Sequence, residues 1–229
     1  AMLITFPLIS LATLTLVYLL VTGHYELQYV YSVTSNDMPL YLKVTALWGG
    51  QAGSLVLWSW LMAAFASAVT LRKWERDRDL LPWVIVVTSV TLAFFLSLTI
   101  LYENPFARWW QTTAGDFVPR MFAPAGAIPV TPADGQGLNP LLRHPGMIIP
   151  PPMLYLGFVA FVIPYAFAIA ALVTGRTDDR WIRLTRRWTL IAWVFLSLGL
   201  VLGMRWAYDV LGWGGYWAWD PVEIAALMP

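Results

Sequence analysis

The chain has 229 residues, of which 59% are hydrophobic and 12% charged, against roughly half apolar and a quarter charged in soluble domains, so a water-soluble globule is not the expected class. A formal net charge of +1 gives no support to nucleic-acid binding, which shows as a strongly basic domain with Lys and Arg gathered on one face. The absence of cysteine removes disulfides, thiolate metal sites and cysteine nucleophiles, and any thiol chemistry must use a partner's cysteines.

Five apolar runs, near residues 2–21, 54–71, 82–101, 151–174 and 188–204, each approach the length that crosses roughly 30 Å of hydrocarbon at about 1.5 Å per residue. The pattern predicts an all-α polytopic membrane bundle, a single membrane domain over 1–229 with about five transmembrane helices. The first run lacks the basic flank and small-residue cleavage site of a signal peptide. Ahead of the second, Leu40, Val44, Leu47 and Trp48 recur at helical spacing beside Lys43, which predicts a short interfacial helix ending at Gly49-Gly50. The cluster Gly49-Gly50-Gln51-Ala52-Gly53 has no Lys-Ser/Thr pair to grip phosphate, so it reads as a helix break and not as a nucleotide loop.

Segment 72–80 carries Arg72, Lys73, Arg76 and Arg78, and segment 175–187 carries Arg176, Arg180, Arg183, Arg186 and Arg187. By the positive-inside bias both face the cytoplasm, and 22–53, 102–150 and everything after Met204 lie outside. The outer segment 102–150 holds eight prolines and five glycines, which predicts an irregular cover or a mobile loop.

Tryptophan is the anomaly, 14 in all. Trp83, Trp109, Trp181 and Trp188 suit an aromatic belt at the membrane surface. Trp206, Trp213, Trp217 and Trp219 crowd together just past the fifth run, with Gly214-Gly215 among them and no basic residue from Leu211 to Glu223. One reading is again a belt. The other is a platform, in which rigid rings supply apolar area and the glycines let backbone approach a flat conjugated ligand. Asp220-Pro221-Val222-Glu223 reads as a helix start, with Asp220 as N-cap, proline in the first turn and Glu223 closing a capping box. His24 and His144 are surface residues or iron ligands, and Lys43, Arg143 and Arg205 are cations for headgroups or for acidic groups of a ligand.

Taken together, WGGYWAWDPVE (Trp213 to Glu223), WTLIAWVFLSLGLVLGMRWAYDVLGWG (Trp188 to Gly214), LWGGQAGSLVLW (Leu47 to Trp58), ENPF (Glu103 to Phe106) and LNPLLRHPGMIIPPPMLYLGF (Leu138 to Phe158) resemble the tryptophan-rich, haem-handling family of cytochrome c biogenesis, most closely its CcmF branch. The resemblance is collinear over nearly the whole chain. It implies a haem lyase of the inner (cytoplasmic) membrane, multi-pass, that holds haem b at the tryptophan-rich segment on the periplasmic side and presents it for thioether attachment to apocytochrome c. The implied partners are apocytochrome c, other cytochrome c biogenesis membrane proteins, a haem carrier and the lipid bilayer, with no nucleic acid. The implied haem-binding residues are Trp206, Trp213, Gly214, Gly215, Trp217, Trp219 and Asp220, with Arg205 and His144 as further candidates and His144 as the candidate iron ligand.

The sequence departs from the family pattern at Pro150, which stands where the family has the histidine of an HPP motif; His144 is the nearby substitute. The family chain is also much longer, and the start at Ala1-Met2 leads us to expect an incomplete chain. Two other readings follow from these departures: a structural or accessory membrane subunit with the family fold and no haem chemistry, and a haem exporter or relay.

Overall fold

The computed structural model describes residues 2–71, 78–176 and 178–229. In chain order the helices are α1 (Met2–Thr22), α2 (Gln28–Val33), α3 (Leu40–Thr45), α4 (Gln51–Leu71) and α5 (Leu81–Leu101). Strands β1 (Arg108–Gln111), β2 (Phe117–Arg120) and β3 (Ile128–Pro129) follow, and then α6 (Pro150–Ala160), α7 (Val162–Val173), α8 (Arg180–Val210) and α9 (Pro221–Leu227). Five helical stretches among the described residues are long and apolar enough to cross a membrane: Met2–Thr22, Gln51–Leu71, Leu81–Leu101, Pro145–Val173 and Arg180–Val210. They correspond one for one to the five apolar runs of the sequence.

Two of those runs look different in detail. The fourth is interrupted at Phe161, between α6 and α7, because Pro164 has no amide hydrogen to donate and its ring crowds the preceding turn. The fifth continues well past its apolar stretch to give 31 residues, about 46 Å at the helical rise, so α8 outreaches the hydrocarbon core. Its arginine-rich first turns and its last turn, including Trp206, are helical extensions that hydropathy does not register.

The chain packs as two compact units. One comprises 8–57 and 95–143. Here the proline-rich segment after α5 is ordered around a three-stranded antiparallel sheet in the order β2-β1-β3, with Trp110 opposite Val118 and Pro129, and Gln111 opposite Phe117 and Ile128. Two of the eight prolines that argued for irregular structure, Pro119 and Pro129, fall on the edge strands β2 and β3, where a missing N–H is tolerated, while the central strand has none. Asn104 accepts a hydrogen bond from the Phe106 amide at 2.9 Å, and Pro105 is fully buried, so the ENPF motif is the turn that delivers α5 into β1.

The short helix predicted over 40–48 is present as α3 followed by a 3-10 turn, Ala46–Trp48. The hydroxyl of Tyr29 donates to the carbonyls of Ala46 and Leu47, with separations of 2.8 and 3.1 Å. Gly53 is required for this contact, since a Cβ there would overlap Tyr29 Oη and the Leu47 carbonyl. The glycine cluster therefore does more than break a helix, because it admits the tyrosine that fixes the turn.

Glu26 links the end of α1 to the sheet: its carboxylate lies 3.0 Å from His24 Nδ1 and 3.5 Å from Arg108, and its carbonyl accepts from the Trp109 amide at 2.9 Å. Burial pushes its pKa up, but hydrogen bonds from its own backbone and from His24, with the charges of His24 and Arg108, hold it below the ordinary 4.5. A carboxylate depressed on folding stabilises the fold above its unfolded pKa and loses that stabilisation as pH falls through the folded value. Amide exchange at Trp109 is thus expected to accelerate as pH drops below about 4.5, after correction for intrinsic rates, and Glu26→Gln should abolish that step.

The second unit comprises Ala1–Pro7, Trp58–Phe94 and His144–Pro229. Its core is built on Ile163, Ala166, Phe167 and Ala170 of α7, Ala192 and Leu196 of α8, and Val84 and Thr88 of α5, all buried. The closest packing joins α6 to α8 through a reciprocal pair of glycines. A Cβ on Gly157 would sit 2.6 Å from the Leu196 Cα, and one on Gly199 would sit 2.7 Å from the Leu154 amide nitrogen. Small residues of this kind let helix backbones touch, which is the main source of helix association in lipid. Asp79 and Arg176 form an ion pair that draws the two basic turns of this unit to one end; Arg72, Lys73 and Arg76 lie outside the described residues.

Candidate functional site: an aromatic groove at the end of α6 and α8

The first turn of α6 and the last turns of α8 lie beside one another. Pro150, Pro151 and Pro152 occupy the first turn of α6, where a missing N–H costs no helical hydrogen bond. Immediately before them, His144 caps a 3-10 turn, Pro145–Met147, accepting from the Gly146 amide at 3.0 Å. This turn packs toward Trp206, whose ring lies 3.4 Å from where a Cβ on Gly146 would be. The glycines that admit Leu154 into the α6–α8 contact therefore also set the spacing of the two walls.

Past α8 the chain reverses at Gly212 and Gly214, with φ of 73° and 72°. No atom lies within 4 Å of a Cβ placed on Gly214, whereas one on Gly215 would meet the Trp213 ring at 2.6 Å. Gly214 thus supplies a left-handed conformation and Gly215 supplies the floor on which Trp213 rests. Tyr208 and Tyr216 stack face to face, 4.5 Å between centroids and 6° between planes, and pin the returning segment to α8. Trp217 and Trp219 meet edge to face at 5.8 Å and 82°, a geometry that the ring quadrupoles favour.

The capping box at Asp220 is present and extended. Asp220 accepts from the Glu223 amide at 2.7 Å, as an N-cap does. The Glu223 carboxylate reaches back past the cap to accept from the amides of both Ala218 and Trp219, each at 2.7 Å. Trp219 is the one described non-glycine residue with positive φ, 59°, a conformation that costs about 1–2 kcal/mol for an L-residue. The carboxylate compensates by satisfying the two amides that this conformation turns toward it.

The result is a groove of about 330 Å³, at the small end of ligand sites, which run from about 300 to 1,000 Å³. Its walls are Pro150, Pro151 and Leu154 from α6, Gly199, Gly203, Met204 and Trp206 from α8, and Trp213, Tyr216, Trp217, Asp220 and Glu223 from the returning segment, with Met147 at one side. The indole nitrogens of Trp206 and Trp217 are buried and have no hydrogen-bond partner among the described residues.

Four of the residues singled out from sequence therefore share one wall system: Trp206, Trp213, Trp217 and Asp220. Gly214, Gly215 and Trp219 shape the wall from behind or beside it, and Trp219 is 67% exposed. Arg205 does not line the groove; it is paired with Asp209 at 2.8 Å, one helical turn on. His144 is outside the lining too, with Nδ1 committed to Gly146. Among the described residues no cluster of three or more His, Asp or Glu could hold a metal ion, and His24 sits against Glu26. The residues that sequence reasoning missed are Met147, Leu154, Gly199, Gly203 and Met204. Gly199 makes the close helix contact, whereas Gly203 one turn on has no atom within 4 Å of a Cβ placed there.

The groove suits a flat apolar ligand, and its only charged lining residues are the carboxylates Asp220 and Glu223. Its walls are mainly hydrocarbon and aromatic, and Gly203 leaves open space where any side chain would intrude. Met147 and Met204 bring the only thioethers in the lining, and the position of Pro150 offers no iron ligand.

The architecture defines a polytopic helical membrane protein with an aromatic groove at one end of its longest span. Residues 48–229 match the model of the family described as Cytochrome C assembly protein, and the chain belongs to that family. It is 40% identical over 224 residues to the cytochrome c-type biogenesis protein CcmF of Haemophilus influenzae, covering 98% of this chain and 32% of that protein. It is 41% identical to CcmF of Escherichia coli, covering 95% of this chain and 31% of that protein. A solved structure, "Cytochrome c Heme Lyase CcmF", superposes with a TM-score of 0.74 at 32% identity, covering 96% of this chain and 32% of the other. The chain thus spans about a third of the length of the relatives it matches.

Proposed function

We propose that this chain is part of a haem-presenting membrane component of cytochrome c maturation, with haem b as its cargo, seated against the groove formed by Trp206, Trp213 and Trp217. The observation that carries the reading is the convergence of three indoles, two of them with buried and unpartnered N–H groups, on an apolar groove of about 330 Å³. Haem is flat and apolar over its face, and indole faces complement both properties.

In this reading the residues position and do not exchange protons. Gly212 and Gly214 turn the segment back, Asp220 and Glu223 hold it open, and the rings keep one face of the porphyrin dry while leaving an edge toward solvent. Holding the reacting groups at a fixed approach converts part of a bimolecular encounter into an intramolecular one, an effect that in well-oriented systems reaches about 7 kcal/mol or more. The attachment itself adds a thiol across each vinyl group, the sulfur bonding to carbon and the thiol hydrogen ending on the neighbouring carbon. In this reading the thiols belong to apocytochrome c, and none of these 229 residues is a cysteine.

The reading places the chain in the inner membrane with the groove on the periplasmic side. The basic residues from Arg180 to Arg187 start α8 and the groove lies at its far end, which fits the positive-inside bias. Other cytochrome c biogenesis proteins and a haem carrier are the proposed membrane partners. The position of Pro150 in the groove wall favours a second reading, an accessory subunit that keeps the fold without haem.

Absorbance separates the two. The full-length protein purified from membranes should carry a Soret band, and Trp217→Ala combined with Trp219→Ala should lower its haem content at least fivefold at equal protein. Equal haem in both, or none in the parent, would favour the accessory reading.

A further inference from the structure

The turn that delivers α5 into β1 is built on Asn104 and Pro105, which leaves Glu103 of the same motif without a part in it. Its side chain lines a cavity of about 560 Å³ in the sheet-bearing unit, together with Arg120 at the end of β2, Gln28 and Ser32 of α2, and Gln51 at the start of α4. Glu103 and Arg120 carry opposite charges, yet neither belongs to an ion pair among the described residues. The Arg120 carbonyl accepts from the Trp110 indole at 3.0 Å, which holds its backbone and leaves the guanidinium to the cavity. A ligand of one sign would be drawn to one of these charges and repelled by the other, whereas a zwitterion complements both.

The cavity lies where two membrane-crossing helices reach the surface. α4 begins at Gln51 and α5 ends at Leu101, and each has 21 residues, about 31 Å of helix and close to the thickness of the hydrocarbon core. Ile100 and Leu101 also line the opening and are exposed. One side of it is thus apolar helix surface suited to acyl chains, and the polar wall starts two residues on, at Glu103. That step from hydrocarbon to charge along the end of α5 is the profile of an amphiphile.

We propose that this cavity binds a phospholipid headgroup that joins a phosphate to a primary ammonium, as in phosphatidylethanolamine, with the acyl chains along the exposed end of α5. The Arg120 guanidinium is a planar fork that meets phosphate oxygens in pairs. A primary ammonium has three N–H donors, for which the Glu103 carboxylate and the side-chain carbonyls of Gln28 and Gln51 are acceptors. A quaternary ammonium has no N–H and is recognised instead by a cage of ring faces. The lining supplies only Tyr29 and Tyr102 for that purpose, and the Tyr29 hydroxyl is held by the Ala46 and Leu47 carbonyls. A headgroup with phosphate and no ammonium would leave Glu103 facing like charge.

The test gives the full-length protein, delipidated in detergent, an equimolar mixture of phosphatidylethanolamine and phosphatidylcholine with the same acyl chains, and counts retained lipid by native mass spectrometry. The parent should retain phosphatidylethanolamine at least about fivefold over phosphatidylcholine. Glu103→Gln should bring phosphatidylethanolamine down to the phosphatidylcholine level, since only the ammonium uses that carboxylate. Arg120→Gln should lower both lipids at least about fivefold, since both carry phosphate. A misfolded variant would not give this split between the two substitutions. Equal retention of the two lipids by the parent, or parental selectivity in both variants, overturns the proposal. Glycerophosphoethanolamine, the same headgroup without chains, distinguishes a lipid from a soluble ligand. At equal concentration it should displace less than about a tenth of the bound lipid, because buried acyl chains add affinity with every methylene. Displacement of half or more would overturn the assignment to a membrane lipid.

Discussion

Leucine at position 199 is expected to drive α6 and α8 apart, lowering the thermal midpoint of the purified protein and removing haem binding together. The nearest neighbour of a Cβ at Gly199 is the Leu154 amide nitrogen at 2.7 Å, with the Leu154 Cα at 3.0 Å. These are backbone atoms, which cannot rotate aside as a flexible side chain would. Overpacking a fitted contact costs about 1–3 kcal/mol and sometimes more, so alanine should cost about 1–2 kcal/mol and leucine about 3 kcal/mol or more. Gly157 should behave alike, since its neighbours are the backbone of Leu196. Gly203, one turn beyond Gly199, is the internal control: nothing lies within 4 Å of a Cβ there. Gly203→Ala should therefore leave the thermal midpoint nearly unchanged. Equal midpoints for Gly199→Leu and Gly203→Ala would show that the α6–α8 contact does not hold the groove.

Glu223→Ala is expected to loosen the tryptophan segment without unfolding the helices. The carboxylate accepts from two amides at 2.7 Å. Hydrogen bonds to a charged group contribute about 1.5–3 kcal/mol each when shielded, and less here because the segment is open to solvent. Without them Trp219 has no reason to stay at φ 59°, and leaving that region releases about 1–2 kcal/mol. The edge-to-face contact with Trp217 should dissolve, seen as lost near-ultraviolet dichroism with far-ultraviolet dichroism intact, and haem affinity should fall at least tenfold. Glu223→Gln, which keeps one acceptor oxygen, should sit between the two. Asp220→Ala removes only the cap and should cost about 1 kcal/mol. A Glu223→Ala protein with parental dichroism would contradict the clamp.

The spans were legible because lipid imposes a length and a composition that sequence must obey. The break at Phe161 was foreshadowed by Pro164, but a single proline in an apolar run does not announce how far the helix bends. The outer sheet was hidden for a different reason. Its strands are short, its pairing of Gln111 with Phe117 and Ile128 is set by tertiary contacts, and its prolines, read as breakers, sit on edge strands where they do no harm. At the groove, residue identity pointed to the rings and to the cap at Asp220, since both depend on local chemistry. The partners of those rings came from α6 and α8, more than 50 positions apart at Leu154 and Trp206, and no local pattern joins them. Arg205 illustrates the converse: its partner Asp209 is one turn away, a spacing that offers an ion pair, yet the sequence reading gives the residue to headgroups or a ligand.

The account turns on where haem lies. Electron cryomicroscopy of the full-length protein with haem added should show the macrocycle against Trp206, Trp213 and Trp217, one face over the groove between α6 and α8. Haem resolved elsewhere in the protein, or these three rings closed over one another with no macrocycle beside them, would contradict it.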